Sequence, residues 1–240
     1  MKRIVSYCLI ISALIFTYYP VNAQEENPYE AMPIRDREGN VYRVIMLETG
    51  VWMADNLNTF SLNDGTPIKL IRDPKEWENT KTPAYGWFSN DLKYCTTYGP
   101  VYNWYAVETG KLCPKGWHVP TEQEWNDLMD YAGGQERKQD NPGKLKEKGT
   151  EHWKAPNTGA TNEVFFNALP ASPVRIFGYP DEPGTSTLWW TSTETMNDID
   201  PVTKKPINAE IVGLKYNYSS KTLGSFQKES GLPVRCKADD

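Results

Sequence analysis

The sequence predicts a mixed α and β fold in which short strands and long loops surround one well-defined helix. Two runs rich in β-formers, residues 41–47 and 51–54, are separated by turn-forming residues at 48–50, and another turn at 38–40 precedes them. This pattern predicts a β-hairpin. Residues 121–134 instead carry apolar side chains with a period of about 3.6, which predicts the helix. No repeat of fixed period is visible, which argues against solenoids and propellers.

The predicted helix has a start signal, an apolar face and a stop signal. Thr121 can accept a hydrogen bond from the backbone N–H of Glu124, whose side chain can reach back to the N–H of Thr121; this is a capping box. Gly133-Gly134 ends the helix. One apolar stripe lies between these signals, at Trp125, Leu128, Met129 and Ala132. The acids at positions 122 and 124 therefore have a structural role, and we do not expect either to be catalytic.

The other elements are expected to be short. Residues 58–98 are predicted as mostly loop with one helical turn near residues 73–78, and the aromatic stretch 98–107 must be largely buried. Nine Trp and fourteen Tyr stand in a chain that is only 39% hydrophobic, so aromatic rings must supply core that aliphatic residues do not. An exposed hairpin tip is expected at residues 201–206. Further strands are predicted at residues 165–169, 188–191, 209–216 and 232–237.

The beginning of the chain predicts export. Lys2 and Arg3, an apolar run and the small-residue site Val21-Asn22-Ala23 predict a signal peptide over residues 1–23, followed by a flexible leader over residues 24–33. The alternative is an uncleaved membrane anchor, although the run is short for a spanning helix of ~20 residues. Cleavage removes two positive charges and no acid, which moves the net charge from −5 to −7 and argues against a nucleic-acid binder. We expect a protein secreted, on the outer surface or in the periplasm, with no transmembrane helix after signal cleavage.

Export permits disulfides. Three cysteines follow the predicted signal peptide, so one pair and one unpaired thiol are the most that can form within the chain. Cys113 and Cys236 lie at the two ends of the apparent core, and a bond between them would close a long loop. Cys95 with Cys113 is the rival pairing.

Several sequence blocks carry a resemblance in combination. Asp36-x-x-Gly39-Asn40-Val41-Tyr42 and then residues 51–57 open the series. The blocks that follow are YGPVYNWYAV at 98–107, CPKGWHVPT at 113–121 with Glu124-Trp125, PNTGATNE at 156–163, ALP at 168–170, WWTSTE at 189–194 and VRC at 234–236. Together they resemble the Fibrobacter succinogenes major paralogous domain, a family of secreted bacterial proteins, over roughly residues 34–237. Leu232-Pro233 replaces the family's usual Phe-Ser, and segments 58–97 and 195–207 are enlarged.

The resemblance also implies a fold. The predicted helix, which begins with the motif Pro120 to Trp125 and ends at Gly133-Gly134, is similar to a helix of formylglycine-generating enzymes. Those enzymes have a C-type-lectin-like core. The implied fold is therefore α+β and C-type-lectin-like, with one or two helices against a twisted antiparallel sheet and long loops. The family has no well-established biochemical activity, so the fold does not supply a function.

Catalytic patterns are absent from the sequence. Formylglycine formation would need two reactive cysteines close together near the end of the chain, where Cys236 stands alone. There is no H-E-x-x-H, G-x-S-x-G or P-loop motif. Of the two histidines, His118 is expected to make structural hydrogen bonds, and His152 is uninformative. We expect no enzyme, with a carbohydrate-active enzyme as one alternative because any two acids can form a glycosidase pair in space.

Binding through loops is the preferred interpretation. Trp77, Tyr85 and Trp87 and the tip at residues 197–205 are candidate contacts for a glycan or an envelope protein. The rival interpretation is that the two tryptophans pack beneath their own loop. No cofactor is required, but calcium is possible because it takes six to eight oxygens. The candidate ligands, which could equally fix a turn, are Asn157, Thr161, Asn162 and Glu163.

These observations predict a secreted or cell-surface binding or adhesion module without catalysis. The alternatives are the carbohydrate-active enzyme and a structural subunit of a cell-envelope assembly.

Overall fold

A computed structural model describes residues 27–87, 92–133, 141–171, 182–196 and 198–240. The predicted signal peptide and Asn197, the first residue of the predicted tip, lie outside these residues. The strands are β1 (Glu30–Arg35), β2 (Val41–Leu47), β3 (Gly50–Met53), β4 (Lys69–Leu70), β5 (Ala84–Gly86), β6 (Val101–Tyr102), β7 (Trp117–His118), β8 (Ser186–Glu194), β9 (Asn208–Lys215), β10 (Thr222–Gln227) and β11 (Lys237–Ala238). The helices are α1 (Pro74–Glu78), α2 (Leu92–Tyr98), α3 (Trp104–Glu108) and α4 (Glu122–Gly133), and Pro142–Leu145 forms a 3-10 turn.

The predicted hairpin starts the largest sheet. Strands β2 and β3 pair antiparallel, and the sheet has the order β1-β2-β3-β11-β7. The short strand β11 joins the hairpin to β7 through Lys237, which pairs with Trp52 on one side and His118 on the other. The flexible leader predicted over residues 24–33 was therefore partly wrong, because its end forms β1 on the edge of this sheet.

The second sheet has the order β10-β9-β8 and supplies much of the core. Strand β8 is buried over its first six residues, including Trp189 and Trp190. The predicted strands at 188–191 and 209–216 are confirmed within β8 and β9. Strand β10 was missed because its sequence, TLGSFQ, has only two large apolar residues and none of its positions is buried. A third, small sheet has the order β4-β5-β6, in which β4 and β5 run parallel.

Helix α4 lies as predicted, and its apolar stripe is fully buried. Its Trp125 ring stacks on Trp189 at a centroid distance of 5.0 Å and meets Trp52 at 5.2 Å. Phe166 adds edge-on contacts to the same group of rings. The expectation that aromatic residues build the core is confirmed, and the described chain has an α+β architecture with mainly antiparallel sheets.

One predicted strand is not a strand, and the strand predicted over residues 232–237 is a strand only at its last residue. In the stretch 165–169, Phe165 and Asn167 have positive φ angles of 56° and 52°, which interrupt an extended run. Residues 232–236 are buried and their carbonyls accept hydrogen bonds from Met53 and Leu57, but only β11 beyond them is a strand. The predicted helical turn near residues 73–78 is confirmed as α1, which Asp73 caps. Helices α2 and α3 were missed within segments assigned to loop and to aromatic core.

The cysteine alternatives are resolved in favour of the long loop. Cys113 and Cys236 form a disulfide, and Cys95 is free and buried in α2. Within the described part of the chain, no helix combines the length and the apolar character needed to cross a bilayer.

Candidate functional site

A polar cavity of about 360 Å³ lies between the hairpin, the end of α2 and the segment before β11. We call it the polar cavity. Its lining includes Arg43 and Asp55 from the hairpin, Asn56 after it, Tyr98 at the end of α2, Asn167, and Arg235. These residues come from four distant parts of the sequence, and most of them carry amide, carboxylate or guanidinium groups that can hydrogen-bond a ligand.

Asn56 holds three walls of the polar cavity together. Its side-chain oxygen accepts hydrogen bonds from Trp189 Nε1 and from Arg235 Nε, each at 3.0 Å. Its Nδ2 donates to the carbonyl oxygen of Tyr98 at 2.9 Å, at the end of α2. Gly99 follows with a positive φ of 79°, and a Cβ there would lie 3.0 Å from the carbonyl oxygen of Leu57. The close approach of α2 to the hairpin therefore requires glycine at this position.

Arg235 forms the buried wall of the polar cavity and is only 1% exposed. Its Nη1 donates to the carbonyl oxygen of Phe166 at 2.5 Å, and its Nη2 to that of Asn167 at 3.2 Å. The guanidinium also lies over the Phe166 ring, 4.1 Å from its centroid. Burial lowers the pKa of Arg235 to about 9, although the negative charge of Asp55 acts in the other direction and raises it.

Asp55 is the carboxylate of the polar cavity. Its Oδ2 accepts from the backbone N–H of Arg43 at 2.8 Å, and its Oδ1 lies 2.5 Å from Arg43 Nη2. Burial alone would raise the pKa of Asp55, but the hydrogen bonds and charge of Arg43 lower it below its ordinary value of 3.8. Asp55 is therefore ionised at neutral pH and oriented by Arg43.

The predicted binding aromatics lie elsewhere, and two of them are not exposed. Trp77 is 4% exposed and donates through Nε1 to the carbonyl oxygen of Glu229. Trp87 is 7% exposed, with the Arg72 guanidinium 5.2 Å from its ring centroid. Both tryptophans are buried, and Trp77 packs against Val101 beyond its own loop, so an exposed role for them is wrong. Tyr85 is half-buried between Trp87 and Phe60, 4.9 Å from the Phe60 centroid.

The predicted calcium ligands make contacts that fit the turn-fixing alternative. Glu163 pairs with Lys144 at 3.0 Å and accepts a hydrogen bond from Thr161. The Asn162 side-chain oxygen accepts from the backbone N–H of Asn167 at 2.8 Å. Asn157 donates to two carbonyl oxygens, those of Glu147 and Gly149.

A cation belonging to the chain itself lies beside this loop. The Lys146 side chain is buried, and its Nζ donates to the carbonyl oxygens of Thr158, Lys215 and Tyr218 at 2.8, 3.0 and 3.3 Å. Burial lowers the pKa of Lys146 to about 8. The carbonyl oxygens at this position therefore already have a cationic partner.

A group that sequence reasoning missed lies on the far side of Tyr98. Glu147, Glu151 and His152 offer ligand atoms within 4.8 Å of one another, the one such His and acid cluster among the described residues. His152 Nδ1 lies 2.8 Å from Glu147 Oε1, and the His152 ring meets Tyr98 edge-on at 6.0 Å. The Glu-x-x-x-Glu-His spacing was the available signal. His118, in contrast, contacts Asp239 and Glu124, as expected for a structural residue.

Comparison with known proteins gives one match. The family model described as the Fibrobacter succinogenes major domain matches residues 46–236. The chain belongs to this family. The Fibrobacter succinogenes major domain includes both halves of the disulfide and most of the polar cavity, whereas β1 precedes it. No curated protein matches the chain, and no solved structure does.

Proposed function

We propose that this chain is a non-catalytic module, exported by its signal peptide, that binds a glycan in the polar cavity. The supporting observation is the cavity itself. Its volume of about 360 Å³ is within the range of small-ligand sites, and it is lined mainly by groups that can donate or accept hydrogen bonds and so orient a ligand. Sugar hydroxyls donate and accept at once, and Asn, Asp and Arg side chains match them. Tyr98 also lines the cavity, and an aromatic residue in the lining is compatible with a bound sugar.

We further propose that the core is C-type-lectin-like. The corner from Cys113 to Thr121, the helix α4 and the antiparallel sheets that pack on it support this arrangement. In such an architecture the ligand site is formed by the segments between regular elements, as it is here for Asn56, Asn167 and Arg235.

The chemistry of the polar cavity favours binding over glycoside cleavage. Cleavage uses two carboxyl groups, one of which must be protonated to act as the acid. Asp55 is the sole acid in the described lining, and its pKa is lowered by Arg43. A general acid with a raised pKa is therefore lacking in the lining.

A glycan array tests the proposal. The purified protein is screened with calcium and with EDTA, and selective binding is expected in both. The variant Thr97→Trp places a large ring from α2 at the polar cavity and should abolish binding, whereas Thr66→Trp, equally exposed but outside the lining, should bind normally. If the folded protein binds no glycan on the array, or if both variants bind equally, a glycan site in this cavity is contradicted.

A further inference from the structure

The polar cavity differs in charge from the molecule that contains it. Its described charged lining residues are Arg43, Arg235 and Asp55, which sum to one positive charge, whereas the whole chain carries −5. A positive cavity in an acidic protein attracts anions, and low-dielectric walls strengthen that attraction.

Arg235 is the centre of this excess charge. A guanidinium has five N–H donors, and the three acceptors bonded to Arg235 are all neutral: the side-chain oxygen of Asn56 and the carbonyl oxygens of Phe166 and Asn167. Buried charges are usually paired, yet no carboxylate of the described residues hydrogen-bonds Arg235. Asp55 acts on it only through space, because Arg43 holds that carboxylate by its backbone N–H, Nε and Nη2.

The lining also supplies neutral groups suited to hydroxyls. Asn40 and Asn58 line the same cavity, and their side chains carry amide donors and acceptors. A ligand that combines an anionic group with hydroxyls would therefore satisfy both the guanidinium and the amides.

We propose that the polar cavity selects an acidic sugar, a uronic acid residue whose carboxylate lies against Arg235. The inference rests on the glycan-binding function proposed above and specifies its ligand class. Three of the five N–H groups of Arg235 already donate, so two are left for a carboxylate of the ligand, and such charge-assisted hydrogen bonds are about twice as strong as neutral ones. Arg43 lies at the exposed side of the cavity and strengthens the attraction of the incoming anion.

Isothermal titration calorimetry compares galacturonate and glucuronate oligomers with galactose and glucose oligomers of the same length. We expect the uronates to bind at least about tenfold more tightly than their neutral counterparts. Raising NaCl from about 50 mM to about 500 mM should bring the ratio of uronate to neutral affinity closer to one, because salt screens charge.

Two variants shift the cavity charge in opposite directions. Asp55→Asn removes the negative charge and should raise the ratio of uronate to neutral affinity. Arg43→Gln should lower it. Glu48→Gln and Lys75→Gln change the net charge equally at exposed positions outside the described lining, and should leave the ratio unchanged. Thermal unfolding confirms that each variant is folded.

The outcomes separate this inference from the function on which it rests. Neutral sugars that bind as tightly as uronates, with no response to the cavity variants, would overturn the acidic-sugar inference and leave the glycan function standing. Sulfated galactose oligomers of the same length are titrated as well, and tighter binding of these than of the uronates would overturn the choice of carboxylate. Absence of binding to either class by the folded protein would overturn both proposals.

Discussion

Single side chains hold the polar cavity together, and Asn56 is the clearest case. Its one amide group satisfies the buried donors of Trp189 and Arg235 and anchors the end of α2. No aliphatic residue of similar size can replace these three contacts.

Asn56→Ala should lower the free energy of unfolding by about 2–6 kcal/mol, because two buried donors lose their acceptor at about 1–3 kcal/mol each. Urea unfolding measures the change. Asn63→Ala is the matched control: among the described residues its side chain makes one hydrogen bond, from Nδ2 to the Cys113 carbonyl oxygen, so a smaller loss is expected. Equal losses in the two variants would contradict the central role of Asn56.

At the scale of elements, the start of α4 joins a helix cap to the largest sheet. Glu124 accepts from the backbone N–H of Thr121 at 2.8 Å and from Lys237 Nζ of β11 at 2.9 Å, and also contacts His118 of β7. Burial alone would raise the pKa of Glu124, but these partners lower it to about 2 from an ordinary value of 4.5. At neutral pH Glu124 is therefore ionised, and its bond to Lys237 is a charge-assisted one.

A lowered folded-state pKa means that the unfolded chain takes up the proton first as the pH falls. The stability contributed by Glu124 should be fully present above about pH 4.5 and be lost progressively down to about pH 2. Glu124→Gln keeps a capping-box acceptor but removes the negative charge that pairs with Lys237, so it should reduce the unfolding free energy at neutral pH by about 1–2 kcal/mol. This stability difference from the native protein should become smaller as the pH falls through the same window. Urea unfolding at a series of pH values tests this.

Glu122→Gln is the control for this titration. Glu122 lies in the same helical turn, but its carboxylate hydrogen-bonds none of the described residues. If the stability difference between Glu122→Gln and the native protein also becomes smaller as the pH falls, a specific role for Glu124 is contradicted.

Strands β8 and β9 meet so closely at Gly213 that no side chain fits. A Cβ there would lie 2.2 Å from the carbonyl oxygen of Thr187 and 2.3 Å from Leu188 Cδ2. Gly213→Ala should therefore destabilise the protein by about 1–3 kcal/mol, the usual cost of overpacking. Gly224→Ala on β10 is the matched control, because its Cβ would meet only Ile211 Cδ1 at 3.9 Å. Thermal unfolding of both variants tests this prediction, and equal melting temperatures would contradict the steric argument.

At the scale of the whole molecule, the disulfide joins the corner before α4 to the segment before β11. The two cysteines are 123 residues apart. In the chain-entropy model, a loop of this size makes the cross-link worth about 4–5 kcal/mol. The paired variant Cys113→Ala with Cys236→Ala should therefore lose most of that free energy in urea unfolding. Cys95→Ala, which keeps the bond, should lose less, and a paired variant as stable as the native protein would contradict the estimate.

Prediction from the sequence succeeded where the signal was local. The capping box at Thr121, the apolar stripe of α4 and the hairpin turns each depend on residues within one or two turns of chain. Strand β10 and helix α2 lacked such a signal. Burial of Trp77 and Trp87 could not be read from residue type, because a tryptophan suits either a core or a binding surface.

The candidate site could not be predicted for a related reason. The polar cavity depends on Asn56, Tyr98 and Arg235, which come together only through tertiary folding. Arg235 in particular stands in a short, apolar-flanked segment, where nothing in the local sequence distinguishes a cavity wall from a surface charge.

The position of β11 has a consequence for the order of events in the cell. The ribosome makes β2 and β3 early, but their neighbour in the sheet is encoded near residue 238. Until that segment is made, the edge of β3 has no partner, and the backbone groups of Trp52 and Met53 that pair with it stay unpaired. The nascent chain should therefore depend on a holding chaperone until its last strand arrives, and a ribosome stalled within the final segment should leave a protease-sensitive, aggregation-prone product.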